Sequence, residues 1–526
     1  MATSNKTRRI IVNDDGWIMS KAGPPLTVDD LREKMVATYA GTPVDAIFWN
    51  IGGNEVYSHE TEVGERYGEG YESAEELKND TRARNIRHLI DTCGGPLTVL
   101  TTLCHEAGMD LFASVRMNSH YDADLLSPVS GRFRREHPGC LIGLPGETFA
   151  EGSLEWGVRT GINFAVPGVR SHMAAIIIEL FERFDTNGVE LDFMRHPAFF
   201  RIDEAYANRY LMTDMIRQVR QRMNEVCAAR GKTLNLAVRV PPTIADSARI
   251  GLDVEQWIAD DLVDIVIGGG GFIPFETPLE EFVEAARGTE CQIYGCLEHL
   301  RTAIDDEVVR AIASRYWSTG ASGLYLFNYF SKPVEWKQRV LNEIGDRDTL
   351  SRLNKRYHMD HSDRLAPRDL HDYAFRYAVP AVQLPVRLMP TPSGHGLILR
   401  VRIEDDVEAA CADEALMSCV LRMSFEKFCP EDELEVLLNG DLLSPNTDRS
   451  FFGDWTRHEW TQYPQGLADV TYSGGRLEFD LHCPPLQQGT NEIEMHLIKR
   501  TDQQDEALAL RDVEVVIEYK QMRDEG

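Results

Sequence analysis

The sequence predicts an α/β architecture, in which a (β/α)8 (TIM) barrel is followed by an antiparallel β-sandwich of jelly-roll type. Over the N-terminal two thirds of the chain, short β-branched runs alternate regularly with helical patterns. Eight such runs occur, and most are short and continuously apolar, as in a parallel sheet buried on both faces. In the C-terminal third, the pattern changes to short, often alternating runs separated by turns, which is typical of antiparallel sheets.

The eight candidate barrel strands are each followed by a polar segment. They are Arg9–Asn13, Val44–Asn50, Met109–Arg116, Gly188–Phe193, Leu234–Arg239, Val263–Gly268, Gln292–Leu297 and Gly323–Asn328. Between them, Ser171–Phe184 has the 3.6-residue apolar period of a helix, and Thr27 opens a Thr-x-x-Asp pattern that resembles a capping box. The runner-up is an open doubly wound sheet, but no GxGxxG turn follows the first strand to bind a dinucleotide.

Three segments follow from this reading. Residues 1–346 form the barrel and carry the site, residues 347–394 form a proline-punctuated connection, and residues 395–526 form the β-sandwich. The sandwich strands are expected at Leu397–Ile403, Met417–Met423, Leu434–Leu438, Ala468–Tyr472, Leu477–Leu481, Glu492–Ile498 and Asp512–Tyr519.

Composition and charge narrow the classes of function. The 526 residues are 43% apolar and 26% charged, and the net charge is −29. A chain this acidic is a poor candidate for binding nucleic acid or an anionic membrane. No signal-peptide-like apolar stretch opens the chain, so we expect a cytoplasmic protein, or a periplasmic or secreted one if a leader has been removed. The ten cysteines form no CxxC pair, and we expect no metal or cofactor in the site.

The candidate site lies at the carboxyl ends of the predicted strands, where (β/α)8 barrels place their active sites. Many polar and charged residues fall there, more than scaffolding requires. The expected substrate-binding residues are Asp14, Asp15, Asn50, Arg116, Asn118, His120, Glu190, Arg195, His196, Arg239 and Tyr329.

Two carboxylates are the candidate catalytic pair. Asp192 ends the fourth strand and Glu298 the seventh, so both are expected at the rim of one barrel. Hydrolysis of a glycosidic bond needs such a pair, one group to protonate the leaving oxygen and the other to attack or to activate water. Asp192 is the first choice for general acid/base and Glu298 for nucleophile or second base. The alternative is that both form buried ion pairs with arginines.

A group of arginines suggests the kind of substrate. Arg116, Arg195 and Arg239 end or follow three adjacent strands, although the protein as a whole is strongly acidic. Because guanidinium groups bind carboxylate and sulfate in a bidentate way, we expect an anionic saccharide, uronic or sulfated. The alternative is that these arginines neutralise the carboxylates of the site.

The barrel resembles known glycosyl hydrolases. Asn163-Phe-Ala-Val-Pro-Gly-Val-Arg170 and Gly188-Val-Glu-Leu-Asp192 resemble segments of the family-10-like glycosyl-hydrolase barrels, which implies a glycoside hydrolase. The strand is also similar to that of family 18 chitinases, but their catalytic Glu corresponds to Met194, which cannot donate a proton. In the C-terminal third, LEVLLNGDLL and PLQQGTNEIEMHLI resemble the galactose-binding-like jelly rolls attached to many glycosidases.

Two other functions stay open on the sequence. A metal-dependent barrel hydrolase is suggested by His120-x-Asp122 and by His358-x-Asp360-His361, whose side chains are of metal-ligand types. A catalytically silent carbohydrate-binding barrel is suggested by Met194. Turnover of oligosaccharides separates an enzyme from a binding protein, and sensitivity to EDTA separates metal catalysis from paired-carboxylate catalysis.

Overall fold

The computed structural model describes residues 6–53, 55–70, 74–118, 130–269, 276–298, 305–328, 332–361, 382–390, 396–462, 466–501 and 507–520. The chain divides into two compact units. The first comprises residues 1–300, 319–345 and 368–380, and the second comprises residues 301–318, 346–367 and 381–526. Among the described residues, no helix is long and apolar enough to cross a lipid bilayer.

The first unit contains a closed barrel of eight parallel strands, as predicted. The strands are β1 (Ile10–Asp14), β2 (Val44–Gly53), β3 (Asp110–Arg116), β4 (Gly188–Asp192), β5 (Asn235–Val240), β6 (Ile265–Gly268), β7 (Gln292–Glu298) and β8 (Gly323–Phe327). Each strand pairs in parallel with the next, and β8 pairs with β1, which closes the ring. Two short strands, Val56–Tyr57 and Glu65–Arg66, extend the sheet beside β2.

Side chains that alternate along the strands fill the barrel interior. An apolar cluster includes Ile11, Phe48, Phe112 and Tyr325, one from each of four strands. The next inward position on β1 is Asn13, whose Nδ2 donates across the barrel to Glu190 Oε2 on β4 at 3.3 Å. The half of the interior near the carboxyl ends of the strands is therefore polar, and the half below it is apolar. The polar half is where barrel enzymes place their active sites.

Helices of the first unit follow the strands as in a (β/α)8 fold. The α-helices are Ile18–Lys21, Val28–Leu31, Ala74–Asn79, Thr81–Cys93, Pro96–Glu106, Arg132–Glu136, Leu154–Val158, Pro167–Arg183, Arg209–Arg230, Ile244–Arg249, Val254–Ala259, Glu280–Ala285 and Val334–Ile344, with a π-helix at Arg32–Val36 and a 3-10 helix at Pro138–Cys140. The predicted capping box is present, since Thr27 Oγ1 accepts from Asp30 N at 3.1 Å and Asp30 Oδ2 accepts from Thr27 N at 3.1 Å.

The second unit is built on two antiparallel sheets. The larger contains Lys355–His358, Val386–Leu388, Leu416–Glu426, Phe451–Gln462, Gly466–Asp480 and Leu508–Tyr519, and the smaller contains Leu397–Ile403, Glu433–Leu438, Asp441–Leu442 and Gly489–Lys499. Its helices are Asp306–Thr319, Arg347–Ser351 and Val407–Ala412. An apolar cluster draws residues from both sheets and forms the core of this unit.

The strands of the second unit follow the predicted pattern with two differences. Ala468–Tyr472 and Leu477–Leu481, predicted as separate strands, belong to one strand, because Gly474 and Gly475 stay paired in the ladder instead of turning. Phe451–Gln462 was not predicted, since its first four residues are exposed and its sequence has no apolar period. At the Asn439-Gly440 dipeptide both residues have positive φ, as a tight hairpin turn requires.

Candidate active site

One guanidinium joins the two candidate catalytic carboxylates. Arg239 on β5 donates from Nε to Asp192 Oδ1 at 3.0 Å and from Nη2 to Asp192 Oδ2 at 3.1 Å. Its third nitrogen, Nη1, donates to Glu298 Oε1 at 2.9 Å. Asp192 and Arg239 are direct neighbours in the strand register, whereas Glu298 reaches the same group from the end of β7. The barrel therefore brings residues 106 positions apart in sequence onto a single cation.

This triad lies in a nearly solvent-free environment. Arg239 and Asp192 are at most 1% exposed, and Glu298 is 6% exposed. The guanidinium also lies over the ring of Phe327, 4.0 Å from its centroid. This ion pairing is the arrangement that the alternative interpretation of the carboxylates expects. It also holds two carboxyl groups together at the carboxyl end of the barrel, as the catalytic hypothesis requires.

Burial strongly alters the acidity of Glu298. Removal from water raises its pKa to about 8, and the attraction of Arg239 offsets only part of that effect. The group therefore carries a proton over most of the neutral range. Asp192, in contrast, accepts two hydrogen bonds from Arg239 and a third from Met194 N at 2.9 Å. The two carboxyl groups thus differ in environment, as an acid and a base in one active site must.

Glu190 lies one inward position deeper than Asp192 on β4. Its Oε1 accepts from the hydroxyl of Tyr325 at 2.6 Å, and its Oε2 accepts from Asn13. Burial and repulsion from Asp192 raise the pKa of Glu190 to about 7.

The raised pKa of Glu190 predicts a pH-dependent stability. Its pKa in the fold, about 7, exceeds the ordinary 4.5, so the folded protein binds more protons than the unfolded chain between these values. Stability should therefore fall as pH rises from about 5 to 8, by on the order of 3 kcal/mol from this group. We expect Glu190→Gln, which keeps an acceptor for Tyr325, to flatten this loss in thermal unfolding curves. The same change at the exposed Glu33 is the control, and parallel curves for wild type and Glu190→Gln would contradict the prediction.

Beside the triad, a pocket of about 450 Å³ opens at the carboxyl ends of the first strands. Four of the predicted substrate-binding residues line it: Asp15, Asn50, Arg116 and Arg195. Asp15 accepts hydrogen bonds from Arg116 Nη2 and, at 2.8 Å, from Asn328 Nδ2. Burial would raise the pKa of Asp15, but the charges of Arg116 and Arg195 outweigh it and lower the pKa below its ordinary value. Arg195 acts electrostatically on Glu298 as well, which links the pocket to the triad.

Other predicted site residues lie elsewhere. Asp14 is buried, accepts a hydrogen bond from Gly16 N at 2.8 Å, and acts electrostatically on Tyr39 and Lys337 rather than lining the pocket. The side chain of Asn118 is engaged by Arg134 and by the backbone of Ile162. His196 is buried with a positive φ and does not line the pocket. His120 and Tyr329 lie outside the described residues, as do Asp122 and His299.

Two of the cationic residues that line the pocket were missed by sequence reasoning. Arg82 lies in the first turn of the helix Thr81–Cys93, and Lys21 ends the short helix after β1. Both helices come after barrel strands, so the four-residue helix Ile18–Lys21 and the first turn of Thr81–Cys93 lie near the carboxyl end of the barrel. Searching the starts of the barrel helices as well as the strand ends would have found Arg82.

Metal-ligand types come together in the second unit. Among the described residues, the group that could hold an ion is His358, Asp512 and Glu514. Only His358 belongs to the His358-x-Asp360-His361 motif. The ligand atoms are already engaged, since His358 Nε2 lies 2.8 Å from Asp512 Oδ1 and Arg356 Nη1 lies 3.3 Å from Glu514 Oε1. We therefore interpret the group as an ion-pair network of the sheet.

No protein-family model matches the chain, and no curated protein matches it either. Among solved structures, it is similar to a cycloisomaltooligosaccharide glucanotransferase of Paenibacillus sp., with 10% identity over 97% of this chain and 58% of that one, at a TM-score of 0.33. An alpha-L-fucosidase of Paenibacillus thiaminolyticus matches with 10% identity over 65% of this chain and 49% of that one, at a TM-score of 0.39. The PgaB (BpsB) glycoside hydrolase domain of Bordetella bronchiseptica matches with 10% identity over 65% of this chain and 99% of that one, at a TM-score of 0.40.

The chain thus spans 58% and 49% of the lengths of the first two of these structures. Likenesses at these scores and identities carry no argument about activity.

Proposed function

We propose that this protein is a glycoside hydrolase that acts on an anionic poly- or oligosaccharide by a paired-carboxylate mechanism. The proposal is supported above all by one observation: Asp192 and Glu298, from strands three apart in the barrel, both bind the guanidinium of Arg239. Both groups lie at the carboxyl end of the strands, where barrel enzymes act. The family-10-like resemblance of the barrel points to the same reaction.

The environments of the two carboxyl groups suggest their roles. Glu298, with a pKa of about 8, keeps its proton at neutral pH and is suited to be the general acid. Asp192 is oriented by Arg239 and by Met194 N, and is suited to be the nucleophile or the base that activates water. This assignment exchanges the first-choice roles given by the sequence.

The reaction then proceeds by displacement at the anomeric carbon. Glu298 donates its proton to the glycosidic oxygen as the bond from that oxygen to the anomeric carbon breaks, and the leaving sugar departs as an alcohol. Asp192 either bonds to the anomeric carbon, for water to displace later, or takes a proton from water as that water attacks. Arg239 fixes both groups and limits their repulsion as Glu298 becomes an anion.

The proposal is tested by incubating the purified protein with neutral, uronic and sulfated oligosaccharides. We expect new reducing ends, with the anionic substrates cleaved faster than neutral ones of the same length. Activity should survive EDTA, since the proposed mechanism uses carboxyl groups only; loss of activity with EDTA would favour the metal-dependent hydrolase instead. Release of no reducing ends from any of these substrates would contradict the proposal.

A second candidate is a carbohydrate-binding barrel without turnover. The observation in its favour is that Arg239 engages both carboxyl groups, and that Asp192 and Glu298 are almost completely buried. Saturable binding of an oligosaccharide that is recovered intact after long incubation would support this second function.

A further inference from the structure

The pocket beside the triad has an unusual balance of charge. Among the described residues that line it, four are cationic, and Asp15 is the single carboxylate. The cations are Lys21, Arg82, Arg116 and Arg195. The protein as a whole has a net charge of −29, so this group of cations is a local exception, and negatively charged groups are needed nearby to balance it.

The carboxylate of the pocket accounts for only part of this charge. Asp15 bonds to Arg116 through Nη2 and takes its second hydrogen bond from an amide, Asn328. The Nε atoms of Arg82 and Arg116 are buried and have no hydrogen-bond partner among the described residues. Buried guanidinium N–H groups without acceptors are costly, and a bound oxyanion would satisfy them.

Arg82 is held in place at this pocket rather than extended into solvent. Its guanidinium lies over the ring of Tyr67, 4.8 Å from the centroid, and the Tyr67 hydroxyl donates to Asp80 Oδ2 at 3.1 Å. Burial, together with the nearby charge of Arg116, lowers the pKa of Arg82. A fixed arginine that faces another arginine is preorganised to bind an anion, because its side chain loses little conformational entropy when the anion binds.

The other walls of the pocket suit a sugar. The backbone of Gly52 and Gly53 forms one side, and a Cβ added at Gly53 would come within 2.8 Å of Arg116 Cβ, so a side chain there would displace the arginine. Trp17 is 45% exposed at the rim, and Lys21 Nζ lies over its ring, 5.1 Å from the centroid. A sugar whose oxyanion is bound by the arginines would contact the exposed part of this ring and the lysine.

We infer that Arg82 and Arg116 form an anion-binding subsite that holds one carboxylate or sulfate group of a saccharide. Lys21 and Arg195 supply further positive charge, and Asp15 orients Arg116. The saccharide part of this inference rests on the proposed function. The subsite holds the anionic sugar unit next to the glycosidic bond to be cleaved and thereby selects the substrate.

The subsite is tested by binding alone, without turnover. Tryptophan fluorescence and calorimetry are used to titrate the full-length protein with glucuronate, with glucose 6-sulfate and with glucose, at constant ionic strength. We expect saturable binding of at least one of the two anionic sugars and none of glucose. Arg82→Gln and Arg116→Gln should each weaken that binding at least about tenfold, which equals about 1.4 kcal/mol.

The matched control is Arg84→Gln, on the same helix as Arg82 but exposed and outside the pocket lining. We expect wild-type affinity from this variant, and circular dichroism establishes that each variant is folded. Equal binding of glucose and the anionic sugars, or unchanged affinity in folded Arg82→Gln, would overturn the subsite. Because binding is read directly, a protein that binds glucuronate but releases no reducing ends would contradict the hydrolase and leave the subsite standing.

Discussion

Glu298→Gln and Asp192→Asn are each expected to lower kcat by at least about 10²-fold, the lower range for loss of a positioned acid or base, or about 2.7 kcal/mol in the barrier. Gln cannot protonate a leaving group, and Asn can neither attack nor activate water. Both substitutions keep the size and shape of the side chain. The measurement is the release of reducing ends under saturating substrate, with KM recorded in parallel.

The pH profile separates the two roles. Because Glu298 has to be protonated to act, wild-type kcat should fall above about pH 8, where this group loses its proton. With a substrate whose leaving group needs no protonation, such as an activated aryl glycoside, Glu298→Gln should recover most of its rate, whereas Asp192→Asn should not. If either folded variant cleaved unactivated oligosaccharides at the wild-type rate, the assignment would be refuted.

The second large effect is expected on stability. Arg239→Met should destabilise the barrel by about 3–5 kcal/mol, because it leaves Asp192 and Glu298 buried without their shared cation. Methionine fills much of the same space, so the loss is one of charge and hydrogen bonds more than of packing. The measurement is the midpoint of the first unfolding transition in urea at pH 8, where Glu298 has begun to lose its proton.

Two further variants control this measurement. Arg287→Met removes a guanidinium that is 75% exposed and paired with Glu284 three residues earlier, and it should cost about 0–1 kcal/mol. Arg239→Lys keeps the charge but cannot donate to both carboxylates in the same geometry, so its stability should lie between wild type and Arg239→Met. A midpoint for Arg239→Met equal to that of Arg287→Met would show that the triad does not stabilise the fold.

The sequence predicts the barrel well because its signal is local. A buried parallel strand is a short apolar run, and each of the eight runs forms a strand at its predicted place. The same rule fails for Phe451–Gln462, whose sequence has no apolar period and whose first four residues are exposed. Strand pairing through Gly474 and Gly475 was missed because glycine indicates a turn, although it can also remain in a ladder.

The site is predicted only in part. A residue's place at a strand end shows how high in the barrel its side chain lies, but not which other side chain it contacts. Asp192, Arg239 and Glu298 are at the expected ends, but that one guanidinium serves both carboxyl groups depends on the closing of the barrel. Asp14 and Asp15 are adjacent in sequence, yet only Asp15 lines the pocket, because successive residues of an extended chain face opposite sides. Arg82 lies on a helix, where a reading of strand ends does not look.

Because Arg239 is the one cation between Asp192 and Glu298 among the described residues, it affects how charge changes during the proposed reaction. At neutral pH, Glu298 still carries its proton, and Arg239 donates hydrogen bonds to both Asp192 and Glu298. In the proposed reaction, loss of that proton would add one negative charge to the interior of the barrel at the moment when the sugar ring develops positive charge. Proton donation and transition-state stabilisation would then be one event, performed by the same side chain.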